Sequence, residues 1–300
     1  MQATVVEFSK GGVIVTTDNI NYLTCSLRGK VKKQEQSVLV GDKVLIDEIN
    51  KSIESVLPRK NQLIRPKVAN VDQVLICLSS EPLCDLLLVD KLIISANDNK
   101  ITPIVCVTKL DILDKQFIKE IKEQYEPLGV KVIEISATKN ENINKLWQIL
   151  KNKITVLAGQ SGVGKSTLLN TLNKSLNIKT SDLTSKILRG KNTTTETKLY
   201  VLQNNALVLD TPGFSVLELS KITAQEFLMA YPDIYKFAKD CNYKSCNHID
   251  KSSTECGVNR ALEEGKINKA RYDRFCREYL RLAGKRPIYN KTNKKGKNNV

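Results

Sequence analysis

The sequence predicts a multi-domain α/β protein: a small N-terminal β-barrel, a central α/β domain with a mostly parallel sheet, and a mainly helical C-terminal domain. Three observations carry this expectation. Short strand-like runs broken by turn residues fill positions 1–64, continuous apolar runs alternate with helical stretches over 65–220, and helical patterns surround a cysteine-rich loop over 221–300. With 41% hydrophobic and 26% charged residues, the 300-residue chain has the balance of a globular protein long enough for more than one core. Aromatic residues make up 5%, so aliphatic side chains must build most of that core.

In the first part, strands are expected at 5–8, 13–17, 22–26, 38–48 and 53–57. Gly11-Gly12, Asp18-Asn19, Arg28-Gly29 and Gly41-Asp42 punctuate them. Five short strands in sixty residues suggest a barrel resembling the oligonucleotide/oligosaccharide-binding (OB) fold; a small β-domain without a ligand fits the same pattern. From 71 onward apolar runs at 71–77, 102–107, 132–135, 154–158 and 207–209 alternate with helical stretches such as 117–125 and 145–150. That alternation implies a sheet of mostly parallel strands covered by helices.

The formal charge of +15 and a pI of about 9.4 favour polyanionic partners. The first twelve residues lack the basic-then-apolar pattern of a signal peptide, and no run approaches the ~18 apolar residues of a membrane span. Nucleic acid is therefore expected over a membrane, in a cytoplasmic protein. Of the eight cysteines, Cys25, Cys77, Cys84 and Cys106 are scattered and read as buried free thiols, and four crowd into the last sixty residues.

Gly159-Gln160-Ser161-Gly162-Val163-Gly164-Lys165-Ser166 fits the phosphate-loop pattern G-x-x-x-x-G-K-S/T, with a strand before it and a helical run through Thr167 after it. The glycines let backbone N–H groups turn inward around phosphate oxygens, and the helix start adds partial positive charge. Lys165 is expected on the β- and γ-phosphates and the Ser166 hydroxyl on Mg²⁺. Downstream, an apolar strand ends in Asp210-Thr-Pro-Gly213, where Asp210 would hold Mg²⁺ through water and the Gly213 N–H would sense the γ-phosphate. Between them lies Arg189-Gly-Lys-Asn192-Thr-Thr-Thr195, in which Thr194 is expected to complete the Mg²⁺ shell.

Thr108-Lys109-Leu110-Asp111 follows the strand at 102–107 and has the form of a guanine-reading loop. A carboxylate at Asp111 can accept from both N1–H and N2–H₂ of guanine; adenine lacks that donor pair, so GTP and GDP are selected over ATP. The strand at 132–135 leads into Ser136-Ala137-Thr138, a loop of the kind that reads guanine O6. In ordinary GTPases the base motifs come last; here they precede the phosphate loop, giving the order base, base, phosphate loop, then the two switches. Strand ends stay in place when a chain is cut elsewhere and its old termini are joined, so the order implies a circularly permuted P-loop GTPase domain.

These rotated motifs, the β-rich start, Arg-Gly-Lys-Asn-Thr-Thr-Thr at 189–195 and a Cys/His cluster after the G domain together resemble the small-ribosomal-subunit-dependent GTPase A family, RsgA, also called YjeQ or YloQ. The stretch from Asn61 to Asp72 is similar to that family's linker into the G domain. The resemblance spans nearly the whole chain. It implies an OB domain, a permuted G domain and a zinc domain, with GTP hydrolysis stimulated by the small ribosomal subunit late in its maturation. The family usually carries a His, implicated in hydrolysis, where this chain has Asn192, which cannot carry a proton near neutral pH. Phe214 follows Gly213 where many GTPases place a water-orienting Gln, although Phe is usual in this family. Slow intrinsic turnover is expected, with the partner completing the site.

Cys241, Cys246, His248 and Cys256 offer three thiolates and one imidazole, a complete tetrahedral Zn²⁺ set with no open position, and His248 is the sole histidine of the chain. The site is expected to be structural. A helix expected over 266–285 would carry Arg271, Arg274, Arg277, Arg281 and Lys285 on one side and Tyr272, Phe275 and Cys276 on the other. Beside a tail at 285–300 with six basic residues and no acid, that face suits rRNA phosphates; a solvated face packed on the zinc module is the alternative. The expectation is a monomeric ribosome-assembly GTPase binding the small subunit and its rRNA. A signalling GTPase acting on a membrane or protein, and an RNA chaperone with vestigial hydrolysis, are the other readings.

Overall fold

Alternation of side chains closes the first five strands into a barrel. The structure, a computed structural model of the 300-residue chain, describes residues 1–28, 37–64, 66–112, 114–173, 198–210, 222–243, 246–249 and 255–284, without the side chain of Asp210. Strands β1 (Gln2–Ser9), β2 (Gly12–Thr16), β3 (Tyr22–Leu27), β4 (Lys43–Asp47) and β5 (Ser52–Val56) pair in the cyclic order β1-β2-β3-β5-β4. Ala3, Val5, Val13, Val15, Val44, Ile46 and Ile53 fill the interior. Val6, in the opposite phase of β1, points outward into the core of the central domain.

One expected strand is shorter than the apolar pattern suggests. Residues 38–48 do not run as a single strand: Gly41 has φ +87°, and a Cβ there would stand 2.1 Å from the Ala69 carbonyl oxygen. The chain turns at that point, and only Lys43–Asp47 joins the barrel. The buried carboxylate of Asp42 fixes the turn. It accepts from the Leu39 N–H (2.7 Å) and, through both oxygens, from Arg59 Nε (2.6 Å) and Nη2 (2.7 Å). This paired geometry ties the barrel to the segment that leaves it. A short hairpin of β6 (Gln62–Leu63) and β7 (Val68–Ala69) follows.

The central sheet has the order β10-β9-β8-β11-β13-β12. Its strands are β8 (Gln73–Leu78), β9 (Thr102–Val107), β10 (Lys131–Glu134), β11 (Ile154–Ala158), β12 (Leu199–Val201) and β13 (Leu207–Asp210). All neighbours are parallel except β12 with β13. Helices cover both faces, which is why β8 and β11 are buried along their whole length. On one face α1 (Leu86–Asp98) and α2 (Lys115–Tyr125) bring Leu92 and Ile121 against Ile76 and Val105. On the other, α3 (Ile143–Leu150) and α4 (Lys165–Leu172) bring Leu146 and Leu169 against Leu75 and Cys106. Each such side chain contributes roughly 1.5–3 kcal/mol by leaving water.

The chain divides into two compact units, Met1–Glu218 and Leu219–Val300. The second holds α5 (Ala224–Met229), α6 (Pro232–Ala238), α7 (Gly257–Glu263) and α8 (Lys269–Leu282). Its core is aromatic: Phe227, Tyr231 and Phe275 have ring centroids 4.9 to 5.8 Å apart. Here the expected open basic face is corrected in part: Arg277 and Arg281 are exposed, and Arg271 and Arg274 are not. Arg271 is 1% exposed, donating from Nε to Asp233 Oδ2 at 2.9 Å with its guanidinium 4.5 Å from the Tyr231 ring centroid, and Arg274 is buried as well. Arg281 is held by both oxygens of Glu278. The side chains of Arg271 and Arg274 extend the packed surface of the module, so helical spacing of charge overstates what faces solvent. Lys285 and the basic tail lie outside the described residues. Among the described residues no helix is long and apolar enough to cross a membrane.

Candidate functional site

Parallel strands bring their carboxyl ends to one edge of the sheet, and the loops leaving β8, β9, β10 and β11 gather there, beside the end of β13. After β11 the chain takes backbone angles that favour glycine: φ is +127° at Gly159, +82° at Gly162 and +96° at Gly164. A Cβ on Gly159 would lie 2.1 Å from the Cys77 carbonyl oxygen of the central strand β8. Gly164 caps α4. The ammonium of Lys165, in the first turn, is buried and donates to the carbonyls of Gly159 (2.8 Å) and Gln160 (2.7 Å). It therefore sits inside the concave side of the loop, where a phosphate would exchange water for N–H groups and this cation.

Ser166 supplies a test of Mg²⁺ fit. Its hydroxyl oxygen is buried and has no hydrogen-bond partner among the described residues. An orphaned buried hydroxyl costs about 1–3 kcal/mol, and a cation ligand position is the use that compensates it. When bound, Mg²⁺ neutralises charge between the β- and γ-phosphates.

The base loop touches the phosphate loop directly. The Thr108 hydroxyl is shared between the carbonyls of Leu78 (3.1 Å) and Val163, so positions 55 residues apart in the chain are pinned together. Asp111 is exposed and accepts from the Ser136 hydroxyl at 2.6 Å. That bond holds its carboxyl below the usual carboxylate range, which keeps it ionised at neutral pH as an acceptor for two N–H donors. Ser136 is in turn engaged by Thr138 Oγ1 (3.0 Å) and the Lys139 N–H (3.0 Å). Thr171 of α4 donates to the Ala137 carbonyl at 3.3 Å, closing the triangle between the two base loops and the phosphate loop.

Thr108, Lys109, Leu110, Asp111, Ser136, Ala137 and residues 159–167 are thus brought to one edge. Asn192, Thr194 and Gly213 lie outside the described residues, as does the side chain of Asp210, although Asp210 itself closes β13 at the same edge. The loop after β8 is an addition that sequence reasoning missed. The Asp85 N–H donates to Gln160 Oε1 (3.2 Å), Lys109 Nζ donates to the Glu81 carbonyl (2.6 Å), and the Pro82 ring stands 3.5 Å from where a Gly162 Cβ would be. The segment 79–85 carries no motif, so only its place after a buried strand could have pointed to it. Gly159→Ala is expected to lower stability by about 1–3 kcal/mol in urea unfolding of the nucleotide-free protein and to remove nucleotide binding, because the clash is with strand backbone.

In the second unit, Cys241, Cys246, His248 and Cys256 place one ligand atom each within 4.8 Å of one another. Cys241 Sγ lies 3.3 Å from His248 Nδ1 and 3.8 Å from Cys256 Sγ, and Cys256 Sγ is 3.7 Å from that nitrogen. Sulfurs bound tetrahedrally at about 2.3 Å sit ~3.8 Å apart, so the spacing suits Zn²⁺. Burial keeps His248 neutral, as a ligand must be. It also pushes the Cys256 thiol up to about 12, with the neighbouring thiols adding to the effect. Thiolates crowded this way need a cation among them. The Gly257 N–H donates to Cys241 Sγ at 3.2 Å, and the Tyr272 hydroxyl donates to the His248 carbonyl at 2.6 Å, linking the cluster to α7 and α8. Cys256→Ser, or a strong chelator, is expected to melt the helical signal of this unit while guanine-nucleotide binding persists, as read by circular dichroism and nucleotide titration.

The family model for RsgA GTPase matches residues 56–220. A small ribosomal subunit biogenesis GTPase RsgA from Alkaliphilus metalliredigens is 40% identical over 266 residues, covering 87% of this chain and 89% of that protein. The crystal structure of YjeQ from Thermotoga maritima is similar with a TM-score of 0.78 at 34% identity, over 95% of this chain and 99% of that one. That of YloQ, described as a circularly permuted GTPase, gives 0.73 at 28% identity over 96% of each.

Proposed function

This chain belongs to the RsgA GTPase family, and on that premise we propose that it hydrolyses GTP in the maturation of the small ribosomal subunit. The observation that supports the reading is the bond from Thr108 to the Val163 carbonyl, which pins the loop we assign to guanine against the one we assign to phosphate. In this reading Lys165 and the loop N–H groups bind the phosphates and Asp111 selects guanine. Ser166, Thr194 and Asp210 hold Mg²⁺, and the Gly213 N–H senses the γ-phosphate. The Cys₃His cluster holds one structural Zn²⁺. The division into domains at 1–64, 65–220 and 221–300 is part of the same proposal.

The small subunit and its rRNA are the partner, met by a cytoplasmic monomer whose +15 charge gives a steep salt dependence. Asn192 cannot relay a proton, so turnover is slow until the subunit completes the site. Phosphate release measured with and without purified small subunits tests this: acceleration by the subunit is expected. No acceleration, together with no GTP-dependent co-sedimentation, would contradict it.

A further inference from the structure

The opposite edge of the sheet holds a second feature. There the amino ends of β11 and β13 meet the outer face of the barrel and border a cleft of about 470 Å³. Three lysines line it, Lys43, Lys60 and Lys153, against one carboxylate, Asp72. Asp72 is already committed: it pairs with Lys60 and accepts the Ile154 N–H at 2.7 Å. Lys43 is not answered in this way. It is half-buried, its ammonium donates to the neutral Thr4 hydroxyl at 2.8 Å, and among the described residues no carboxylate lies within ion-pair distance. Burial lowers its pKa, and the more distant Asp72 carboxylate, engaged with Lys60, offsets that only in part while the Lys60 charge adds to it.

Register explains the arrangement. Thr4 of β1 is paired with Lys43 of β4 on one side and Thr16 of β2 on the other, so the three side chains form a row across the same barrel face. The Thr16 hydroxyl, behind the cleft and not lining it, is buried and has no hydrogen-bond partner among the described residues. A desolvated cation and an unmatched hydroxyl in one row, beside a cleft with two positive charges in excess (three lysines less one aspartate), call for an anion with two charges and several acceptor oxygens.

We propose that this cleft is a second anion site, distinct from the nucleotide pocket, that takes the dianionic phosphate of a small phosphate monoester. A single diester phosphate of RNA carries one charge and answers half of the excess. Lys43 and Lys153 contact the phosphate from opposite walls, while Lys60 stays with Asp72. A ligand here bridges barrel and G domain, which makes their junction responsive to a metabolite.

The test uses the full chain saturated with Mg²⁺ and a non-hydrolysable GTP analogue, so that the nucleotide pocket is filled and its failure is scored separately. Inorganic phosphate is titrated by calorimetry at pH 8, alongside a six-nucleotide single-stranded RNA without terminal phosphates. Phosphate is expected to bind. Lys43→Met should weaken it by about tenfold or more, the loss of one charge-assisted hydrogen bond, without lowering the thermal midpoint. Lys153→Met, at an exposed position, should weaken it by about threefold and guards against misfolding of the first variant. Intrinsic GTP hydrolysis should stay unchanged in both. No phosphate binding, or equal affinity in wild type and both variants, overturns the proposal. Lys43-dependent binding of the RNA without binding of phosphate overturns the monoester assignment.

Discussion

Lys165→Ala is expected to reduce single-turnover GTP hydrolysis by about 10²–10³-fold, the usual cost of removing one preorganised donor from a site of developing charge. The expectation follows from where the ammonium sits. It is buried, held by two carbonyls of the loop it belongs to, and fixed at the first turn of α4 rather than at the end of a free side chain. Its charge is therefore in place before the phosphates arrive. The substitution also leaves the Gly159 and Gln160 carbonyls without this donor, so a stability loss of about 1–3 kcal/mol accompanies it. Single-turnover measurement at saturating GTP separates the two effects, since a folded variant that binds GTP and fails to cleave it isolates the chemical role. Wild-type rates in the variant would remove Lys165 from the mechanism.

Asp111→Asn is expected to weaken GTP by about 30–1000-fold, the loss of hydrogen bonds to a charged acceptor, and to raise affinity for xanthosine triphosphate. The Ser136 hydroxyl already donates to one carboxylate oxygen. In the variant that hydroxyl selects the amide oxygen, which turns the NH₂ group toward the base. Guanine then meets donor against donor, while xanthine, with a carbonyl at C2 in place of the amino group, meets a complementary donor. Competition titrations with the two triphosphates check the reversal. Equal weakening of both would show that Asp111 acts through the fold and not through base reading.

Much of this site was open to reading from the sequence because phosphate chemistry constrains consecutive residues. Gly159, Gly164, Lys165 and Ser166 must keep their spacing at a strand-to-helix junction, and Asp111 must sit in the loop that leaves another strand. Continuous apolar runs located β9 and β11 for the same reason, since strands buried on both faces leave no polar alternation to confuse the pattern. The Cys₃His cluster was legible through the rarity of His248. What the sequence hid depends on partners distant in the chain. The expected strand at 38–48 breaks because Gly41 approaches Ala69, and Arg271 is buried because Asp233, 38 residues away, pairs with it. Helix α1 is apolar on much of its surface, with seven buried residues in Leu86–Asp98, so it shows no clean face to read. The loop at 79–85 joins both nucleotide loops through backbone atoms, which no residue pattern announces.

The central claim is that one ligand is held at both ends by loops that the rotated chain order separates. Calorimetric titration of the Mg²⁺-containing wild-type protein with GDP and with ADP tests it most directly. The account predicts GDP binding that is tighter than ADP by about 10²-fold or more, because the phosphate loop is blind to the base and the loops at Asp111 and Ser136–Thr138 discriminate. Equal affinity for the two diphosphates would mean that the loop at Thr108–Asp111 does not read the base of the nucleotide whose phosphates Lys165 holds.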